Sequence, residues 1–284
     1  MRRFDGLGAM QAATAMTLVG SSVAASSLVT RYPILGGQAA RYGLGAAVLA
    51  VLARGKLPRP RRSQVPRLLA LAGTGLAGFN VLLIAALRTS DPGSVGVIIG
   101  CLPVVMAVLG PALAARAPTG RVVAAAVVVS AGAAFVQWSG GSLPAVGLSL
   151  AFGALACEAA FSVLAVPLLA SLGPVGVSTY ACAAAAAMLL AGALGVEGTG
   201  AFRFPSSREA EAFAYLGLVV TALAFVLWYS GLRRLGVERA GLFAGLVPVA
   251  ALLTAAAVGT TTLSLARLAG VVVVGAGVTI GMKS

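Results

Sequence analysis

The sequence predicts an all-α integral membrane protein, with ten transmembrane helices arranged as two inverted five-helix repeats. Three observations carry that prediction: a long stretch that occurs twice at one fixed spacing, an apolar composition, and cations gathered in alternate loops. The repeated stretch runs Leu87–Gly132, from Leu87-Arg88 through Gly96, Gly100 and Pro103 to Ala131-Gly132. It returns over Leu232–Gly277, from Leu232-Arg233 through Gly241, Gly245 and Pro248 to Ala276-Gly277. The spacing never changes: 233 less 88, 248 less 103 and 277 less 132 each give 145. A period of that length means two copies of one large unit, not a solenoid of small ones. With an odd number of spans per copy, the second copy is inverted relative to the first, an arrangement common in secondary transporters.

Composition leaves few alternatives. Of the 284 residues 60% are hydrophobic and only 10% charged, and the mean hydropathy is +1.02. A water-soluble domain of this size needs more charge than that to cover its surface. The absence of histidine removes Ser/His/Asp catalysis, histidine metal sites and histidine proton relays together. Cys101, Cys157 and Cys182 are far apart in apolar segments and read as small packing residues. No enzyme activity, cofactor or metal is therefore expected.

About 20 apolar residues cross the hydrocarbon core of a bilayer. On that measure the first repeat, 1–140, holds spans at Leu7–Leu28, Ile34–Ala53, Leu68–Leu87, Ser94–Ala114 and Val122–Trp138. The second repeat, 145–284, holds Gly147–Leu169, Val175–Gly195, Ala212–Leu232, Ala240–Val258 and Leu265–Met282. The apolar run behind Met1-Arg2-Arg3 is too long for a signal peptide and reads as a retained first span. Turn formers separate several spans, namely Asp91-Pro92-Gly93, Ser139-Gly140-Gly141 and Gly173-Pro174.

Charge then orients the spans. Arg2, Arg3, Arg54, Lys56, Arg59, Arg61, Arg62, Arg67, Arg116, Arg121, Arg233, Arg234, Arg239 and Lys283 share one side if ten spans alternate. These are 14 of the 20 basic residues, so the positive-inside rule predicts a multi-pass protein of the cytoplasmic membrane with both termini cytoplasmic. The same distribution explains the net charge of +13 without a nucleic-acid partner. The partners expected are the bilayer and a small-molecule substrate; a homodimer is left open.

Several residues also resemble the drug/metabolite transporter superfamily, specifically its EamA-type family. Gly20-Ser21 in span one resembles that family's Trp-Gly-Ser, with Val19 at the tryptophan position. Pro33 followed by Arg41 resembles its proline and arginine at the start of span two, and the two Leu-Arg…Pro…Ala-Gly stretches resemble its repeat signature. The chain departs from the family where an acidic turn often closes spans four and nine, having Ala115-Arg116 and Thr260-Thr261 instead. The resemblance implies an inverted-repeat permease, often an exporter of amino acids or other small metabolites. It further implies that spans one, three, four, six, eight and nine line a central cavity, with five and ten peripheral.

Glu158 is the sharpest candidate for substrate or proton binding. It sits centrally in span six, and an intramembrane carboxylate costs roughly 2.5–3.5 kcal/mol on insertion scales, so such groups mark pathways. The alternative is a packing carboxyl, permanently protonated or paired with Arg41. Arg41, about 10 Å from the outer end of span two at 1.5 Å per residue, suits a substrate carboxylate, a gating role or snorkelling. Asn80 in span three offers a donor and an acceptor to a zwitterion, or an interhelical hydrogen bond. Ser21 completes the binding candidates. Pro103 and Pro248, near mid-depth of spans four and nine, each remove a backbone hydrogen bond and read as hinge or cavity-shaping residues. Trp228-Tyr229 and Trp138 read as interfacial aromatics. These features point to a secondary transporter moving a small organic metabolite by alternating access, either proton-coupled through Glu158 or facilitative, and the resemblance implies an amino acid or related compound moved outward. A non-transporting membrane scaffold or accessory subunit of the same fold is the alternative.

Overall fold

The computed structural model describes residues 5–138 and 140–283, so the Arg2-Arg3 pair and Ser139 lie outside the described residues. Ten long helices account for the fold. In chain order they are α1 Gly6–Leu28, α2 Ile34–Leu52, α3 Arg62–Thr89, α4 Pro92–Leu113 and α5 Gly120–Gln137. The second half gives α6 Ala145–Val163, α7 Val166–Val196, α8 Ser207–Leu235, α9 Val237–Ala257 and α10 Leu265–Met282. Among the described residues α2–α10 are long and apolar enough to cross a membrane. Helix α1 is as long but more polar, carrying Gln11, Thr14, Thr17 and four serines.

Local chemistry sets the helix ends. Asp5 caps α1 by accepting from the Gly8 N–H at 2.8 Å. Asp91 caps α4 ahead of Pro92, a residue with no N–H to leave unpaired in the first turn. Ser206 and Glu209 form a reciprocal capping box at the start of α8. Between α8 and α9 the chain reverses at Gly236, whose φ of 81° is open mainly to glycine.

The connections sort into two ends of the bundle. At one end Asp5 pairs with Arg234 at 3.4 Å, Arg116 with Glu238 at 3.9 Å, and Gln64 donates to Ser171 at 2.7 Å. This brings the start of α1 and the α2–α3, α4–α5, α6–α7 and α8–α9 connections together. At the other end the Tyr32 hydroxyl donates to the Arg203 carbonyl at 2.7 Å, and the Asp91 N–H to the Ser142 carbonyl at 3.1 Å. The helices therefore alternate in direction, and the basic loops fall at a common end.

Both halves break their helices at matching places. A π-helical segment interrupts α3 at Ala72–Gly78 and α8 at Leu216–Leu223. Helix α4 stops at Ile99 and restarts at Leu102; α9 narrows to a 3-10 turn over Gly241–Gly245 and resumes at Leu246. Gly100 and Gly245, which lie in these irregular stretches, are 145 residues apart. Helices α5 and α10 pack against each other, as do α2 and α7; α1 lies against α8 and α9, and α6 against α3 and α4. A Cβ on Gly132 would come 2.7 Å from the Val274 nitrogen, and one on Gly277 would come 2.9 Å from the Val129 nitrogen. The α5–α10 pair is thus held backbone to backbone, the close approach that small residues permit in lipid.

The break expected at Gly173-Pro174 is present. Helix α6 ends at Val163, a short helical piece covers 166–172, and Gly173, non-helical at φ 66° and ψ 172°, separates that piece from the long run of α7 that starts at Pro174. The short piece is the part the apolar run gave no mark of, since hydropathy is continuous across it.

Candidate substrate cavity

Six helices enclose a cavity of about 480 Å³. It begins between Val29, Thr30 and Pro33 at the α1–α2 connection and descends to Met16, Leu102 and Trp228. Below that floor the bundle is sealed: Trp228 is 2% exposed and Tyr229 and Met106 are fully buried, packed with Leu232, Leu235 and Phe243 in one apolar cluster. The cavity mouth therefore lies at the end opposite the basic loops.

Of the binding candidates, Glu158, Asn80 and Arg41 all line this cavity. Glu158 lies on α6, thirteen residues from Ala145 and five from Val163, deeper than the centre that the longer sequence-derived span gave it. Its Oε2 is shut off from solvent and has no hydrogen-bond partner. Asn80 directly follows the π segment of α3. Its Nδ2 donates to the Leu76 carbonyl at 2.7 Å and to the Tyr42 hydroxyl at 2.9 Å, tying α3 to α2. Arg41 does not pair with Glu158. Its Nε donates to Thr221 Oγ1 at 2.8 Å, Nη1 to Gln38 at 3.4 Å, and the guanidinium lies 5.3 Å from the Tyr42 ring centroid. Thr221, fully buried in the π segment of α8, anchors Arg41 from outside the lining, while α3 carries Asn80 itself into the cavity.

Ser21 lies elsewhere. Its hydroxyl meets Tyr215 Oη at 2.6 Å and donates to the Leu18 carbonyl at 2.7 Å, joining α1 to α8 behind the cavity; the neighbouring Ser22 and Ser26 line it instead. Pro103 and Pro248 are not inside continuous helices. Each sits in the first turn of a helix that has just restarted, where a missing N–H leaves no gap in the ladder. Both are largely buried outside the lining, and the breaks before them fall at Ile99 and Ala244, the carbonyls that each proline leaves without a helical donor.

Two further expectations change. Trp228 and Tyr229 are not interfacial: Trp228 Nε1 donates to Ser162 at 3.2 Å, and the Tyr229 hydroxyl to the Phe161 carbonyl at 3.4 Å, at the cavity floor. Trp138, 66% exposed, does sit at a helix end facing outward. Helix α2 supplies lining residues, whereas α9 supplies none among the described residues; Gly20 lets α1 press directly onto the α9 backbone at Val247 and Ala251. Sequence reasoning also missed the aromatic wall of Tyr42, Phe79, Phe161, Phe213 and Phe225. Phenylalanines in apolar spans carry no signal separating cavity from lipid; Tyr42, polar and next to Arg41, was the one visible cue.

At the rim, Arg203 makes a two-pronged ion pair with Glu209 and lies 4.8 Å from the Tyr32 ring centroid. Glu197 accepts from the Leu35 and Gly36 N–H groups at 2.9 and 3.0 Å, capping the start of α2 with the end of α7.

A ten-helix bundle with a polar-bottomed cavity closed at one end defines a multi-pass membrane protein of the transporter class. The model of the EamA-like transporter family matches residues 6–138 and again 145–282; the chain belongs to that family. Two proteins of Bacillus subtilis (strain 168) are similar to it. The uncharacterized transporter YetK is 25% identical over 251 residues, 85% of this chain and 76% of that protein. The uncharacterized transporter YyaM is 25% identical over 229 residues, 78% of this chain and 75% of that protein. A protein of known crystal structure shares the fold, with a TM-score of 0.82 over 96% of each chain at 21% identity.

Proposed function

We propose that this membrane transporter is a secondary transporter of the cytoplasmic membrane that moves a small organic metabolite, an amino acid or related compound, outward by alternating access. The two five-helix repeats, 1–140 and 145–284, rock about the cavity, and the breaks at Gly100 and Gly245 absorb the change in backbone. Both termini and the basic loops face the cytoplasm, which makes the described conformation outward-facing. One observation carries the reading. Arg41 and Glu158 are the only charged side chains lining the cavity among the described residues, so a charged group on a small organic molecule finds a counter-charge inside the bundle.

Glu158 is the proton-coupling group. An unpaired carboxylate in that setting is unfavourable, whereas a protonated one, or one facing a substrate cation, is tolerated. Exchange of one proton for one substrate then follows from occupancy of a single site. The test is counterflow of radiolabelled amino acids in proteoliposomes at a series of pH values, with wild type beside Glu158→Gln. Wild-type exchange should vary with pH and the variant's should not. Equal pH dependence in both removes the coupling role.

A further inference from the structure

The deep end of the cavity identifies the substrate group bound there, an inference that rests on the transporter reading. The Leu76 carbonyl can only accept, so the Asn80 atom facing it at 2.7 Å is the amide nitrogen. The second hydrogen of that nitrogen goes to the Tyr42 hydroxyl. With both donors engaged inside the protein, Asn80 offers the cavity only its Oδ1, an acceptor. Glu158, which lines the cavity, supplies a second acceptor from α6, and its Oε2 has no hydrogen-bond partner inside the protein.

The surrounding walls are aromatic. Phe161, whose ring centroid is 4.9 Å from that of Phe225 and 5.0 Å from that of Tyr229, lines the cavity with Phe79 and Trp228. Such faces hold apolar bodies and attract cations. The cavity's cation does not fill the gap. Arg41 is engaged by Thr221 and Gln38 and lies seven residues from the mouth end of α2, about 10 Å, while Glu158 lies thirteen residues along α6, about 20 Å.

We propose that Asn80 Oδ1 and the Glu158 carboxylate form a seat for a primary ammonium group, and that the ligands it takes are amines with an apolar or aromatic body. A carboxylate on the ligand is not required. An ammonium carries three N–H donors and no acceptor, which matches two acceptors lining one cavity, and its charge pairs the carboxylate.

The probes are 2-phenylethylamine, phenylalanine and 3-phenylpropionate, which share a ring and differ in their charged groups. Thermal unfolding of the purified full-length protein measures binding, since a ligand of the folded form raises the apparent stability. The amine should stabilise wild type and the propionate should not. Glu158→Gln should weaken amine binding at least about tenfold, and Glu158→Asp should restore part of it. A measurement on wild type stands beside the variants: labelling of Glu158 by a hydrophobic carbodiimide, followed by mass spectrometry, should be slowed by the amine. The seat is overturned by amine binding that is unchanged in Glu158→Gln, by propionate binding as well as the amine, or by the absence of carbodiimide protection. Exchange of some other solute without amine binding overturns the seat and leaves the transporter reading standing. Amine binding without exchange of any solute upholds the seat and removes that reading.

Discussion

The α5–α10 pair and the α3–α8 pair obey the same internal symmetry and use it differently. Helices α5 and α10 begin at Gly120 and Leu265 and end at Gln137 and Met282, each 145 residues apart, and their contact is built on the equivalent glycines Gly132 and Gly277. In α3 and α8 the backbone stays symmetric, with π segments at corresponding places, but the side chains part company. At the 145-residue spacing Asn80 corresponds to Phe225 and Leu76 to Thr221. One helix thus brings an amide to the cavity where its counterpart brings a ring. Symmetric backbones allow two related conformations of similar energy, while asymmetric side chains let one small molecule bind in one orientation. The peripheral pair is framework and the central pair is chemistry.

The largest expected effect falls on the framework. Gly132→Leu or Gly277→Leu drives a side chain into backbone, and overpacking typically costs 1–3 kcal/mol, occasionally more. Loss of monodisperse protein on size-exclusion chromatography in detergent would be the result, and a stable, active Gly132→Leu would break the distinction. Next is Glu158→Gln, expected to reduce exchange by about tenfold or more, equivalent to ~1.4 kcal/mol, with thermal stability unchanged or raised, because an unpaired buried carboxyl adds nothing to the folded state. A third test, Tyr42→Phe, removes the hydroxyl that Asn80 donates to. A lost hydrogen bond of about 1 kcal/mol should weaken substrate binding several-fold while expression stays normal. Accessibility sharpens the comparison within one helix: in a background lacking the native cysteines, Ser22→Cys should react with a water-soluble maleimide added on the outer side, and Ser21→Cys much more slowly. Arg203→Ala comes last. It removes a rim ion pair to Glu209 that water reaches and screens, so only a small fall in melting temperature is expected.

Much of this was legible in the chain before folding. The cavity carboxyl was visible because Glu158 is a lone acid inside an apolar span. Arg41 and Asn80 were visible for the same reason, as polar groups where lipid tolerates few. Ser21 misled because a hydroxyl in a membrane helix satisfies itself on its own backbone, and Ser21 does so on Leu18. Which of two adjacent serines faces the cavity depends on a rotation of about 100° per residue. Helix α1, whose polar residues are spread around it, does not declare that rotation. Trp228 and Tyr229 misled in the same manner, since a position near the end of an apolar run reads as a membrane interface unless the neighbouring helices are known.

The sequence alone determined that this is an all-helical membrane protein and where most of its apolar spans fall. That much follows from the water-to-lipid transfer energy summed along a single segment, and such sums need no partners. Tertiary structure alone decided that Arg41 turns to Thr221 and Gln38, that Asn80 presents only its oxygen, and that Trp228 closes the cavity floor. Those outcomes are pairings between helices far apart in the chain, fixed by hydrogen-bond geometry within a few ångströms. No pattern along one helix encodes them.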